Sequence, residues 1–405
     1  MLRIAFIAPF GLGQKTTVWA RTLPLARFLA RQGHVVTLLI PPWDTPKDAG
    51  KAWVEGGVQV INVALTGGIP ATVLRLIHHL DAFRPQIVHI VKPRAHAGLV
   101  QWVLWQRRWW QPWGRKPSPR ILLDVDDWEQ AWAAINHYHP LVARFLAWQE
   151  EWGIRHADAI TAASHWLVDR VQQYTPQTPV CYLPNGVVED FGAQRAPRIL
   201  DFGLKETAPS TLAKIAREEQ VLFVGRYVEV RPDWLAEFWC ALAQLRPLAR
   251  LTVFGDPLEA GRRERFQQRM TTLCPTAADK VTWPAYDADL AQTLYAESVC
   301  AIFPSQKSPL HEAKSSVRLA TTLLRGLPVV ASAVGEQAYY GAAGTAHLVP
   351  AEASPAEFAT EVATVLAAPA MRATLRQQAR QRLLDNYHWE KLGAQLEAFY
   401  GKVLG

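Results

Sequence analysis

Leu2-Arg-Ile-Ala-Phe-Ile-Ala8 runs directly into Pro9-Phe-Gly-Leu-Gly13, and Val221-Leu-Phe-Val224 runs into Gly225-Arg226. Each is a short apolar stretch followed closely by glycine, which is typical of a buried strand of a parallel sheet and the tight turn after it. A helical pattern follows the first stretch and is closed by Gly33. Because this start occurs at the N-terminus and again past the middle of the chain, the sequence predicts two sheets in tandem.

Further apolar runs, separated by helical patterns, continue both halves. They are Val35–Ile40, Val58–Val63, Ile87–Val91 and Arg120–Val125, then Leu251–Phe254, Val281–Trp283, Val299–Phe303 and Val329–Ala331. A chain of 405 residues also exceeds one ordinary hydrophobic core. We therefore predict an α/β fold of two tandem Rossmann-like, doubly wound parallel-sheet domains facing an interdomain cleft. The predicted domains are residues 1–191 and 219–386, joined by a polar linker at 192–218.

Composition narrows the class of protein. The apolar fraction of 49% and charged fraction of 20% indicate a globular chain. Its four cysteines lie far apart without a CxxC pair, which argues against a zinc site or disulfide framework and favours a reducing, cytoplasmic location. No signal peptide or membrane-spanning run is evident. The net charge of +7 favours an anionic partner, namely a nucleotide, an anionic membrane surface or a nucleic acid.

Two groups of residues at strand ends are candidates for binding phosphate. Gly11, Gly13 and Lys15 lie where backbone N–H groups and a cation could meet an anion, although a tight turn alone would also use the glycines. The full GxGxxG pattern is absent, which disfavours a dinucleotide-dependent oxidoreductase. Arg226 and Arg231 follow the first strand of the second half, where two guanidinium groups could bind one diphosphate or remain solvated.

Several motifs, in the same order, resemble those of the family 4-like retaining glycosyltransferases (GT-B fold, glycosyl transferases group 1). They are Gly33-His34, Ala157–Ser164, Leu183–Val187, Phe223–Arg226 with Arg231, Ala301–Ser305 and Gly326–Ser332. The resemblance implies transfer of a hexose-like sugar from a nucleotide-diphosphate sugar to a hydroxyl acceptor, with retention, without a metal ion and without a further cofactor. It also implies that a final helix, about 387–405, crosses back to the first domain.

One family element is altered. The usual E-x7-E pair would fall on Ala313 and Thr321, and Glu312 lies one residue away. Lys314 and Arg318, four residues apart, would share a helix face and extend the phosphate site. The implied donor-binding residues are Gly11, Gly13, Lys15, Gly225, Arg226, Arg231, Glu312, Lys314, Ser316, Arg318 and Thr321. The alteration leaves open a non-catalytic nucleotide-sugar-binding or scaffold protein.

Asp124-Val-Asp126-Asp127 ends a predicted strand of the first domain. An Asp-x-Asp arrangement could hold a divalent ion. Since the arginines lie in the other domain, we favour Asp126 and Asp127 as acceptor-contacting or catalytic carboxylates, with Arg226 and Arg231 acting on the leaving diphosphate. Asp127 as a structural helix N-cap is the alternative.

The stretch Trp105–Lys116 interleaves tryptophan with arginine and lysine. This composition suits an anionic membrane surface, which would favour a lipid-linked or membrane-proximal glycan acceptor. Stacking on nucleic acid bases is disfavoured, and a tryptophan-rich packing face is the remaining alternative.

Overall fold

The computed structural model describes residues 1–13, 17–110, 118–188, 219–284 and 288–405. They form two compact units. Unit 1 comprises Met1–Gly186, Ala313–Ser315 and Trp389–Gly405, and unit 2 comprises Val187–Glu312 and Ser316–His388. The predicted linker, 192–218, lies outside the described residues.

Unit 1 is built on an eight-stranded sheet. Its strands are β1 (Arg3–Ile7), β2 (Val35–Ile40), β3 (Ala52–Glu55), β4 (Val58–Asn62), β5 (Ile87–Val91), β6 (Arg120–Val125), β7 (Ala159–Ala162) and β8 (Val180–Tyr182). They lie in the order β3-β4-β2-β1-β5-β6-β7-β8, and all neighbours are parallel except β3 and β4. This antiparallel edge pair was not predicted; it turns at Gly56-Gly57, whose positive φ angles of 57° and 81° favour glycine.

Among the described residues of the first part of the chain, six α-helices surround this sheet. They are α1 (Leu23–Arg31), α2 (Gly68–Phe83), α3 (Ala95–Trp110), α4 (Glu129–Ile135), α5 (Pro140–Arg155) and α6 (His165–Tyr174). Aliphatic side chains of the central strands pack against α2, α3 and α6 to form the core. Burial of both sheet faces explains why the strands are continuously apolar in sequence.

Unit 2 has a six-stranded, wholly parallel sheet in the order β11-β10-β9-β12-β13-β14. The strands are β9 (Glu219–Val224), β10 (Ala249–Phe254), β11 (Val281–Thr282), β12 (Cys300–Phe303), β13 (Val329–Ser332) and β14 (His347–Val349). The helices are α7 (Pro232–Leu245), α8 (Arg262–Leu273), α9 (Pro275–Ala278), α10 (Ala288–Glu297), α11 (Pro309–Ala313), α12 (Val317–Leu324), α13 (Glu336–Tyr340), α14 (Pro355–Ala367) and α15 (Pro369–Tyr387). The predicted fold class of two Rossmann-like parallel sheets is confirmed.

The last helix, α16 (Trp389–Leu404), groups with unit 1. Gly393 lets it approach α1 closely, because a Cβ atom there would overlap the ring of Phe28. The hydroxyl of Tyr400 lies 2.6 Å from Nδ1 of the buried His89 on β5. Burial lowers the pKa of His89 to about 4, so this histidine is neutral near pH 7.

A disulfide joins Cys240 on α7 to Cys274 after α8. The sequence-based expectation that the cysteines do not pair was therefore wrong. Packing of α7 against α8 brings the two Cα atoms to 5.6 Å across a separation of 34 residues, which no local spacing reveals. Cys181 and Cys300 are free and buried. The pairing removes the cysteine argument for a reducing compartment.

Candidate functional site

In each sheet, the candidate residues lie at or next to the point at which the strand order reverses. In unit 1, β1 lies between β2 and β5, and in unit 2, β9 lies between β10 and β12. The carboxyl ends of strands at such a switch point form the usual ligand-binding edge of an open α/β sheet. Arg226 follows β9, and a cluster around Asp126 follows β5 and β6.

In unit 2, the turn after β9 is organised by Glu229. One of its carboxylate oxygens accepts the backbone N–H groups of Arg226 and Val228 at 3.0 and 3.1 Å. The other oxygen accepts from the guanidinium of Arg318 on α12 at 2.5 Å. Glu229 is buried and Arg226 is exposed. The carboxylate of Glu229 therefore holds both the backbone of Arg226 and the guanidinium of Arg318 at the end of β9.

The electrostatics of this turn favour an anion. Burial and then the charge of Arg318 lower the pKa of Arg226, although a guanidinium stays protonated near pH 7. Glu229 and Asp256 partly offset the repulsion between the two guanidinium groups, and a bound anion would offset more of it. Gly225 is required by close packing, since a Cβ atom there would overlap the ring of Phe223. Arg231 occupies the N-cap position of α7 without a side-chain capping bond and is exposed.

The region of the altered E-x7-E pair differs from the sequence-based prediction. Lys314 lies in the break between α11 and α12 and groups with unit 1, so it does not share a helix face with Arg318. The break arises because α12 begins only after Ser316, whose hydroxyl accepts the N–H of Leu319. Glu312 is half-buried on α11, and Thr321 is buried on α12.

In unit 1, Lys92 is the centre of a buried charge cluster. Its ammonium lies 3.0 Å from Asp126, 2.9 Å from Asp127 and 3.2 Å from Glu129. Glu129 also accepts from Arg94 at 2.5 Å. Burial opposes the charge of Lys92, but the three carboxylates outweigh it and hold the pKa of this lysine well above its usual value. The same two cations hold the pKa of Glu129 low against the effect of burial.

Sequence reasoning missed Lys92. The residue follows β5 with a φ of 62°, a left-handed conformation that is costly for a side chain of this kind. Its partners lie after the next strand of the sheet, β6, at separations such as 35 and 37 residues. A lysine directly after an apolar strand was the only available signal, and nothing local distinguishes it from a surface lysine.

Asp126 and Asp127, the predicted acceptor-contacting or catalytic carboxylates, both lie in this cluster, and their role stays a prediction. Burial raises the pKa of Asp126 to about 6 despite the attraction of Lys92. The hydroxyl of Thr17 donates to Asp126 at 3.0 Å. Asp127 does not cap a helix, because α4 begins at Glu129 with Trp128 in the N-cap position. The backbone N–H groups of Glu129 and Gln130 are instead accepted by Glu150, whose pKa burial and Glu129 raise to about 8.

Asp124 is occupied by another partner. Arg21 donates to both of its carboxylate oxygens at 2.7 Å, and the hydroxyl of Thr161 donates at 2.6 Å. The two aspartates of the Asp-x-Asp arrangement therefore have different partners: Asp124 pairs with Arg21, and Asp126 pairs with Lys92. In the part of the chain that the structure describes, no group of three His, Cys, Asp or Glu residues could hold a metal ion.

The glycines after β1 have a structural role. The N–H of Gly11 donates to Asp44 at 2.6 Å, and Cβ atoms on Gly11 or Gly13 would collide with Thr45. These glycines therefore let the turn pack on the loop after β2. The N–H of Gly11, which was predicted to bind an anion, already donates to the carboxylate of Asp44. Lys15 lies outside the described residues.

The predicted membrane segment, Trp105–Lys116, is described only as far as residue 110. Arg107 pairs with Asp81 at 2.9 Å, and Arg108 pairs with Asp158 at 2.5 Å and lies over the ring of Trp105. Carboxylates of the same unit thus pair with both arginines, and membrane binding by this segment stays a prediction. Among the described residues, no helix has the length and apolarity needed to cross a bilayer.

Residues 16–186 match the family model described as a glycosyl transferase 4-like domain, and residues 218–368 match the model described as glycosyl transferases group 1. The chain belongs to the group 1 glycosyltransferases. The family resemblance of the sequence is thereby confirmed. No curated protein matches the sequence of this glycosyltransferase.

Solved structures share the fold of this glycosyltransferase over its whole length. Sucrose-phosphate synthase from Thermosynechococcus elongatus is 20% identical with a TM-score of 0.71, covering 100% of this chain and 99% of its own. A glycosyltransferase from Rickettsia africae is 15% identical with a TM-score of 0.67, covering 99% and 98%. HepE of Anabaena in complex with UDP-glucose is 16% identical with a TM-score of 0.66, covering 99% and 100%.

Proposed function

We propose that this glycosyltransferase transfers a hexose-like sugar from a nucleotide-diphosphate sugar, with retention, to the hydroxyl of a lipid-linked or membrane-proximal glycan. The arrangement of Arg226, Arg318 and Glu229 carries the proposal, because Glu229 holds the backbone of Arg226 and the guanidinium of Arg318 at the ligand-binding edge of unit 2. The complex of HepE with UDP-glucose, a protein of the same fold, supports a donor of this class.

In this proposal, Arg226 and Arg231 bind the donor diphosphate, and Arg318 assists. Fixed cations beside the leaving group stabilise the negative charge that develops as the bond to the sugar breaks. Gly225 permits close approach of the backbone to the phosphates. The acceptor hydroxyl attacks the face of the sugar from which the nucleoside diphosphate departs, so the configuration is retained as the new bond forms and the bond to the diphosphate breaks. Asp126, held by Lys92, accepts the proton of that hydroxyl. The reaction takes place at the cytoplasmic face of a membrane.

Arg226→Ala and Arg231→Ala are each expected to weaken donor binding about tenfold or more, because a charge-assisted contact to phosphate contributes ~1.5–3 kcal/mol. A thermal-shift screen with UDP-, GDP-, ADP- and dTDP-sugars first identifies the donor, since a ligand that binds the folded state raises its melting temperature. Titration calorimetry with that donor then measures the variants. Arg376→Ala, which removes an exposed arginine of α15, is the matched control and should bind as the wild type does. Equal affinity in all four proteins would refute the donor site.

The pH dependence of turnover tests Asp126. With a pKa of about 6 for this carboxyl, kcat/KM should fall as the pH drops below about 6, because the protonated acid cannot accept a proton. Asp126→Asn should slow turnover by a factor of about 100 or more and leave donor affinity unchanged. A variant that retains the wild-type rate and the same acidic limb would exclude Asp126 as the base.

Turnover is expected to survive chelation. The arginines described above already neutralise the leaving diphosphate, so no divalent ion is needed for that purpose. Initial rates should be the same with excess EDTA and with Mg²⁺ or Mn²⁺. Loss of activity in EDTA that Mn²⁺ restores would show that the leaving group requires a metal.

Binding and turnover also separate the proposed enzyme from a non-catalytic member of the family. Calorimetry measures donor binding, and release of the nucleoside diphosphate across a panel of glycan and lipid-linked acceptors measures transfer. Tight donor binding with no release in the presence of any acceptor would indicate a nucleotide-sugar-binding or scaffold protein.

A further inference from the structure

Helix α5 in unit 1 buries polar side chains and exposes apolar and aromatic ones. The side that it buries carries Leu146, Gln149, Glu150, Gly153 and Ile154. Its outer side carries Leu141, Phe145 and Trp148, which are 67%, 42% and 45% exposed. Their spacing of four and three residues places them on one face. A surface helix normally buries its aromatic residues and exposes its glutamine and glutamate, so this outer face is an exposed apolar surface in the part of unit 1 that the structure describes.

The aromatic rings of this outer face continue beyond it. Phe145 stacks on Trp148, which contacts Trp152, and the ring centroids are 5.9 and 6.1 Å apart. Trp152 stacks on His156 at 4.2 Å, and His156 meets Trp105 of α3 at 5.1 Å. The row thus runs from α5 to the beginning of the tryptophan-rich segment of α3.

The charges beside this face are positive. Arg144 and Arg155 are exposed and lie on the same side of the helix as Phe145 and Trp148. The acidic residues of α5 are engaged elsewhere: Glu150 is buried under α4, and Glu151 accepts from Gln130 and Tyr174. Apolar and aromatic side chains flanked by arginines are the composition of a helix that lies in a lipid–water interface, where rings enter the headgroup region and cations meet anionic lipids.

We propose that the outer face of α5, formed by Leu141, Arg144, Phe145 and Trp148, binds an anionic phospholipid membrane. The binding is reversible, because a few interfacial side chains and cations give far less affinity than a spanning helix. Only the purpose of this surface, which is to hold unit 1 beside a lipid-linked acceptor, depends on the proposed function. Membrane binding itself requires neither donor nor turnover.

Vesicle flotation of the full chain tests the proposal. Phosphatidylcholine vesicles with about one third phosphatidylglycerol should carry the wild type at low salt, and binding should fall at high salt or with phosphatidylcholine alone. The triple variant Leu141→Gln, Phe145→Gln, Trp148→Gln should lower the partition coefficient at least about tenfold. Its matched control replaces three exposed leucines elsewhere, Leu74, Leu245 and Leu248, with glutamine and should bind as the wild type does.

The charge contribution is tested separately. Arg144→Gln should lower binding to the anionic vesicles about fivefold, the equivalent of ~1 kcal/mol for one cation at the surface, whereas the matched change Arg376→Gln should have no effect. Circular dichroism monitors the fold, and if the triple variant is unfolded, Leu141→Gln and Trp148→Gln are tested singly and should each weaken binding.

Three outcomes would overturn the assignment of this surface. The first is a wild type that does not float with the anionic vesicles at low salt, and the second is an α5 variant that floats as well as its control. The third is a wild-type dimer, by light scattering, that the α5 variant converts to a monomer, because the face would then be an interface between two copies. Donor affinity, measured by calorimetry on the same proteins, should be the same in the wild type and the variants. A wild type that binds no donor would refute the proposed function but not the membrane surface.

Discussion

Replacing Lys92 with methionine is expected to lower the free energy of unfolding of unit 1 by about 3–5 kcal/mol, the typical effect of removing one partner from a buried ion pair. The ammonium is buried and lies within 3.2 Å of the carboxylates of Asp126, Asp127 and Glu129. Methionine preserves much of the volume but leaves these carboxylates without their shared cation. Urea unfolding followed by circular dichroism measures the change.

The pH dependence of this destabilisation identifies its cause. In the variant, burial acts on Asp126 without the opposing charge of Lys92 and raises the pKa of this carboxyl further above its unfolded value, so the folded state binds more protons than the unfolded state near neutral pH. The stability of the variant should therefore fall as pH rises from about 5 to about 8, and the difference from the wild type should grow. Lys51→Met, which breaks an exposed pair with Asp48, is the control and should change stability by less than about 1 kcal/mol. A similarly small effect at Lys92 would show that water screens the cluster.

Reduction of the Cys240–Cys274 disulfide is expected to lower the unfolding free energy of unit 2 by about 3–4 kcal/mol. The bond closes a loop across a separation of 34 residues. Its loss raises the conformational entropy of the unfolded chain, and the loop-closure treatment converts this entropy into the stated free energy. Urea unfolding with and without a phosphine reductant measures the difference, provided that the transition of each unit is resolved.

Two controls accompany this measurement. The double variant Cys240→Ala, Cys274→Ala should unfold as the reduced wild type does and should not respond to the reductant, whereas Cys181→Ala should respond fully. Alkylation in denaturant without reductant should modify only Cys181 and Cys300 of the four cysteines. Modification of all four would show that the bond is absent from the protein in solution.

The contrast between Arg226 and Lys92 shows how far the candidate site could be predicted. Arg226 was found because a motif places it directly after a strand, so its position at the sheet edge follows from the local sequence. Its companion Arg318 was predicted from family spacing, but the carboxylate that links them, Glu229, was not. Lys92 has no motif, and its partners are brought to it only by the pairing of β5 with β6.

The sequence by itself determined the two parallel sheets, the family and the strand end that carries Arg226. These features are local, because an apolar run and the glycine-containing turn after it indicate a buried strand and its end without information about the neighbouring segments. Tertiary structure alone decided the charge cluster at Lys92, the pairing of Cys240 with Cys274 and the orientation of α5. Each depends on which segments become neighbours after the sheets form. Helix α5 shows the limit most clearly: the N–H groups of Glu129 and Gln130 need an acceptor, which places Glu150 inside and leaves Phe145 and Trp148 on the outer face.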